Sequence, residues 1–188
     1  MAMLIVGIVL WSAVHLVPAL APGFKQALAA RLGARPWKGL FALAIVASLA
    51  LIIIGWRSTP PHAIYQPPVW GRWAAIGLMV VSIYLFGAAQ RPAMIKRVLR
   101  HPQLTGLAVW SGAHLLANGD HRSLVLFGGL GIWAIVEMFA INRRDGAWIK
   151  SESPPLSREL IALVISLAVF GLLFWAHPWF TGVMLRSG

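Results

Sequence analysis

The sequence predicts an all-α polytopic membrane helix bundle of about six transmembrane helices, one integral membrane domain over residues 1–188. Three observations predict it. Apolar residues make up 59% of the chain and charged residues 11%, whereas a soluble domain carries about 25% charged residues to coat its core. Apolar runs recur at approximately 2–20, 39–56, 70–90, 103–118, 122–142 and 159–180, near the roughly 20 residues that cross a hydrocarbon layer about 30 Å thick. Proline, glycine and charge separate the runs.

The first run has no basic residue ahead of it, and positive charge begins only at Lys25. It therefore reads as a retained helix, although Ala19-Leu20-Ala21 resembles a signal-peptide cleavage site. Pro22-Gly23 closes it, and Pro60-Pro61 with Pro67-Pro68 separates the second run from the third. Arg91-Pro92 follows the third run. His101-Pro102 opens the fourth, where proline suits a first helical turn. Asn118-Gly119-Asp120 is so short a turn that the fourth and fifth helices must be antiparallel neighbours, with Asp120 capping the fifth. Gly128, Gly129 and Gly131 let another helix or a flat ligand approach that helix closely. Pro154-Pro155 precedes the last run.

The net charge of +11 follows the loops, which argues for membrane orientation and against nucleic acid. The loops after the first, third and fifth runs hold Lys25, Arg31, Arg35, Lys38, Arg91, Lys96, Arg97, Arg100, Arg143, Arg144, Lys150 and Arg158. The opposite side holds Arg57, Arg72, Arg122 and Arg186. Retention of positive charge in the cytoplasm then predicts an inner-membrane protein with both termini periplasmic. Trp37, Trp56, Trp70, Trp73, Trp175 and Trp179 lie near run ends, as anchors at the lipid interface do.

Ionisable groups at membrane depth are costly and are candidates for function. Three lie well inside the runs: His15, His114 and Glu137. The histidines share a frame, Trp11-Ser12-Ala13-Val14-His15-Leu16 and Trp110-Ser111-Gly112-Ala113-His114-Leu115. Each has a tryptophan four residues earlier, one turn away on the same face. Each frame occupies the first helix of a three-span half, so the halves would form an inverted 3+3 repeat. The two α-carbons would then differ in depth by roughly 11 Å. Two imidazoles could reach one central metal from there, and haem suits them; zinc, which wants three or four ligands, suits them less. Either histidine alone reads first as a hydrogen-bonding partner of a neighbouring helix, and it is the matched pair that favours a shared centre. Glu137 is expected to pair with Arg97, Arg100 or Arg144. Arg97, Arg100 and His101 cluster where the fourth run enters the membrane, as cytoplasmic charge or as a seat for an anionic group. His62, His121 and His177 fall at run ends or in loops and read as solvated or interfacial. With no cysteine, disulfides, thiolate nucleophiles and iron–sulfur clusters are excluded.

The stretch from Arg97 to Gly119, with Arg100-His101-Pro102-Gln103, Ala113-His114-Leu115 and Asn118-Gly119, resembles the signature of the NnrU family of bacterial membrane proteins. Ala13-Val14-His15-Leu16-Val17-Pro18-Ala19-Leu20 resembles that family's N-terminal region, and the similarity runs over nearly the whole chain. The resemblance implies an association with nitrite and nitric oxide reductases in denitrification. The family shares its domain with 15-cis-zeta-carotene isomerase, which implies haem b held at the positions of His15 and His114, with nitric oxide or a polyene as ligand. Trp11 and Trp110 would pack beside the iron ligands, and Arg100 and Arg97 would meet a propionate. The isomerase has a cysteine where this chain has Ser111, so isomerase chemistry does not transfer directly. Two other classes fit the residues: a haem-free accessory protein of a membrane reductase, and a membrane methyltransferase using S-adenosylmethionine at Arg100-His101-Pro102.

Overall fold

The computed structural model describes residues 1–150 and 152–182. Eight α-helices account for most of them: α1 (Ala2–Leu20), α2 (Pro22–Leu32), α3 (Ala34–Ser58), α4 (Gly71–Ala89), α5 (Pro102–Ala117), α6 (His121–Ser123), α7 (Gly129–Asp145) and α8 (Leu156–Thr181). A π-helical stretch, Leu124–Gly128, joins α6 to α7 without a break, and a 3-10 turn, Met94–Arg97, precedes α5. The expected apolar runs all become helical. Helix α2 and the 3-10 turn fall where the sequence reads as loop. Pro22 at the first position of α2 explains its start, because a missing amide there costs no bond.

Among the described residues, five helical segments are long and apolar enough to cross a membrane: Ala2–Leu20, Ala34–Ser58, Gly71–Ala89, His121–Asp145 and Leu156–Trp179. Helix α5 has 16 residues, about 24 Å at 1.5 Å per residue, and falls short of a full crossing. It is bounded by Pro102 in its first turn and by Asn118, which leaves helical geometry at φ −133°.

The helices neighbour one another in the order α3, α1, α7, α5, α4, α8. The pairings α1 with α3 and α5 with α7 correspond between the chain halves. The extensive contact of α4 with α5 has no counterpart of that extent between α8 and α1. Large apolar side chains such as Leu43, Val46, Val164 and Leu172 face outward, which suits a lipid solvent. Trp70, Trp73, Trp175 and Trp179 are exposed, whereas Trp56 packs on Phe127 and carries the Arg122 guanidinium 4.3 Å above its ring.

Helices α1 and α3 pack in close backbone contact. Leu4, Ile8 and Ile52 form a buried core there. A Cβ added to Gly7 would lie 2.8 Å from the Ile52 amide nitrogen, and one added to Gly55 would collide with the Leu4 backbone. In the fifth apolar run, a Cβ on Gly129 would meet Ile8 at 3.0 Å and one on Gly131 would meet Ser111 at 3.0 Å, while Gly128 faces open space. Two of those three glycines therefore serve close packing.

Helix α8 is held differently. Glu159 sits in its first turn, accepts from the Tyr84 hydroxyl and the Met94 amide at 2.8 Å each, and pairs with Arg91 at 3.3 Å. It is 8% exposed. Its loss would leave Arg91 and two donors without their acceptor, and hydrogen bonds to charged groups contribute about 1.5–3 kcal/mol each. Glu159→Ala is expected to lower the detergent-solubilised melting temperature and to speed proteolysis in the loop before α8. Glu159→Gln, which keeps an acceptor, should fall between that variant and the wild type.

Candidate functional site

Helix α7 serves as a ruler for the candidate residues. It runs parallel to α1, with Ile8 beside Gly129, Trp11 beside Trp133, and Pro18 O accepting from Arg144. It runs antiparallel to α5, with Ser111 beside Gly131, Thr105 beside Met138 and His101 beside Asn142. The expected antiparallel pairing across the Asn118-Gly119-Asp120 turn is present. Asp120 caps the helix as expected, its carboxylate accepting from the Ser123 amide at 3.0 Å and the Ser123 hydroxyl at 2.6 Å.

The two matched frames produce matched local geometry. His15 Nδ1–H donates to Trp11 O at 2.8 Å, and His114 Nδ1–H donates to Trp110 O at 2.9 Å. A carbonyl can only accept, so Nδ1 carries the proton and Nε2 keeps its lone pair. This is how histidine ligands are commonly oriented in metal sites. Trp11 lies 4.3 Å from the His15 ring, and Trp110 lies 4.7 Å from the His114 ring.

The surroundings of the two imidazoles differ. His15 meets Trp133 at 5.0 Å and Phe41 at 6.0 Å. His114 stacks on Phe127 at 4.4 Å. Phe127 and Trp133 are six residues apart on one continuous helix, about 9 Å in rise, and they point to different faces. Helix α7 thus stands between α1 and α5. The expected convergence of His15 and His114 on one shared centre is not found, because matched spacing within each helix does not bring two helices face to face.

His114 instead forms part of the wall of a 540 Å³ cavity bounded by α3, α4, α5, the π-helical stretch and α8. Its walls are chiefly apolar, including Ile53, Met79, Trp110, Phe127 and Phe174; Arg72, Asn118 and His177 also line it. His15 and Trp11 do not. Neither does Ser111, which is buried against Gly131 with its hydroxyl unpartnered. His177, expected to be interfacial, lies on the cavity wall; nothing in the sequence distinguishes it from an end-of-span histidine.

The basic cluster lies at the other end of α5. Arg100 donates to Gly146 O at 2.7 Å, His101 bonds to Asn142 Oδ1 at 2.8 Å, and Arg97 is exposed in the 3-10 turn. Arg100 and His114 are separated by roughly 21 Å of helical rise. The expected role of Arg97 and Arg100 beside a propionate therefore does not fit the cavity, whose arginine is Arg72. Glu137 also departs from expectation. It makes no ion pair within 4 Å among the described residues: Arg144, the expected partner whose charge it does feel, binds Asp145 at 2.6 Å and Pro18 O at 3.2 Å, and the Glu137 carboxyl interacts with the Trp133 indole instead.

The NnrU protein family model matches residues 3–185. The chain belongs to the NnrU family. No curated protein and no solved structure matches it. In this NnrU protein the loop between α3 and α4 is bonded to the end of α5 and the turn after it, next to the cavity residue Asn118. Tyr65 donates to Leu115 O and lies 2.8 Å from Asn118 O, while the Ile64 and Tyr65 amides donate to Gly119 O at 2.8 and 3.0 Å. The His62 and His121 rings lie alongside, tilted to each other with centroids 5.2 Å apart.

Burial, and then the Asp120 charge, push the Tyr65 phenol above its ordinary pKa. A raised phenol pKa stabilises the fold fully below the unfolded value near 10, and that contribution is lost as pH rises through the folded value. The melting-temperature difference between wild type and Tyr65→Phe should therefore be constant near neutrality. It should shrink as the solution is made strongly alkaline. At neutral pH the lost hydrogen bonding should cost about 1–2 kcal/mol.

Proposed function

We propose that this NnrU protein is an inner-membrane haem b-binding protein, with both termini periplasmic, and that His114 holds the haem in the apolar cavity. The observation that carries the reading is the His114 ring, fixed by its bond to Trp110 O and set in the wall of a 540 Å³ cavity. That volume falls within the roughly 300–1,000 Å³ typical of small-molecule sites. The residues present fit the group: an imidazole with Nε2 unbonded to protein among the described residues, flat aromatic walls, and Arg72 and Asn118 as polar wall residues.

Haem bound there would supply reversible iron redox chemistry and a position for nitric oxide or a polyene. The chain's own residues do the rest. Trp110 orients the imidazole, Phe127 stacks on it, and the apolar walls exclude water. The test is a reduced-minus-oxidised optical spectrum of protein purified in mild detergent after haem-supplemented expression. A b-type signal is expected; apoprotein alone would overturn the reading.

Helix α8 favours a second reading, a haem-free accessory protein for a membrane reductase. Its main neighbour is α4, and it leaves Leu160, Val164, Leu167 and Leu172 exposed. That reading expects reductase co-purification to survive loss of both His15 and His114. The methyltransferase reading draws less support, since Arg100, His101 and Pro102 do not line the cavity.

A further inference from the structure

Helices α4 and α8 run antiparallel. At one end they are tied together, Arg91 pairing with Glu159 at 3.3 Å and Gly87 facing Ser166. At the other end both line the 540 Å³ cavity, α4 from Ile83 back to Arg72 and α8 from Phe170 on to Thr181. Each of these stretches rises about 16 Å at 1.5 Å per residue.

The cavity is graded in polarity along that length. Arg72, Asn118 and His177 line one end, and Met79, Ile83 and Phe170 line the depth. Trp70 and Trp73 flank Arg72 in sequence, Trp175 and Trp179 flank His177, and all four are exposed, as tryptophans at the lipid interface are. From that level, a depth of about 16 Å reaches the middle of a hydrocarbon layer about 30 Å thick. The cavity therefore spans one leaflet, polar at the interface and apolar at the midplane, as a lipid chain with its head group is.

The cavity also opens towards lipid. Helix α3 packs on α1 and α2 and makes no extensive contact with α4 or α8. Ile53 of α3 and Leu173 of α8 line the cavity and are 46% and 43% exposed, so they form the rim of a lateral opening. The wall carries Arg72 and, among the described residues, no carboxylate. Charge complementarity thus selects an anionic head, and arginine suits carboxylate and phosphate alike.

We propose that the cavity binds an anionic single-chain amphiphile drawn laterally from the bilayer between α3 and α8, with its head at Arg72 and its chain along α4 and α8 towards Ile83 and Phe170. The carboxylate of a fatty acid and the phosphate of a lysophospholipid share this chemistry. As the site of a substrate it rests on the haem reading; as a binding site it rests on α4 and α8 alone.

The test uses the full chain in phosphatidylcholine nanodiscs with a diazirine-bearing fatty acid as probe, the labelled residues being read by peptide mass spectrometry. Adducts are expected on the cavity faces of α4 and α8, Met79 and Phe170 among them, with outward-facing Leu43 and Val46 as background. Excess oleate or oleoyl lysophosphatidic acid should displace the cavity adducts and spare the background, and the more effective of the two identifies the head group. Methyl oleate, which lacks the charge, should need at least about tenfold more, as loss of a charge-assisted hydrogen bond would give. Arg72→Gln should abolish the preference for a charged competitor, and Arg72→Lys should keep it. Cavity adducts that no competitor displaces, or that methyl oleate displaces equally well, overturn the proposal. Displaceable adducts should persist in His114→Ala although the b-type signal is lost. A b-type signal in wild type without displaceable adducts would leave the haem reading standing and sink the amphiphile.

Discussion

His114→Ala is expected to abolish the b-type spectrum, while His15→Ala keeps it. Both histidines have the same local frame, the same bond to a tryptophan carbonyl and a tryptophan ring within 5 Å, so local geometry alone would give them equal roles. The cavity separates them: His114 is in its wall and His15 is not. Removing an outer hydrogen bond from a metal ligand typically costs about 10–100-fold in metal affinity, and removing the imidazole itself should cost more. Haem retention on purification, scored against protein amount and circular dichroism, is the measurement. Loss of the signal in folded His15→Ala as well would restore a two-imidazole centre and overturn the assignment to His114 alone.

Gly55→Val is expected to prevent α1 and α3 from docking. An added Cβ would strike the Leu4 backbone, and neither backbone can yield without separating the pair. Without a hydrophobic drive between helices in lipid, such close packing is a main source of association. Overpacking a well-filled core typically costs about 1–3 kcal/mol, occasionally more; a backbone obstacle places this variant at or above the upper end. Gly77→Val is the control, since nothing lies within 4 Å of a Cβ at Gly77, and it should behave as wild type. Detergent-extracted yield and melting temperature compare the two. Equal stability of both variants would show that the α1–α3 contact is looser than described.

Much of the fold was legible because a bilayer imposes a one-dimensional rule. Apolar length marks a helix, and proline or charge marks its end, so all the expected runs became helices. Helix α2 escaped because an 11-residue segment containing Lys25 and Arg31 carries no spanning signal. The π-helical stretch escaped because an extra residue per turn leaves no mark in composition, yet it belongs to the segment that presents Phe127 to His114. His177 and Arg72 escaped as cavity residues for another reason. They come from helices remote in sequence, and nothing local to either predicts that α4 and α8 close one space with α5.

Residue order alone determined that this chain forms apolar helices, that His15 and His114 share one local geometry, and that Asp120 caps the helix after the short turn. These follow from contacts within four residues. Tertiary structure decided that α7 stands between the two histidines, that one lines a cavity and the other meets the Trp133 ring, and that Arg100 lies far from His114. Such relations depend on which helix faces which. In lipid that choice rests on the fit of small residues such as Gly7, Gly55 and Gly131 against particular neighbours, a property of surfaces in contact that spacing along one helix does not encode.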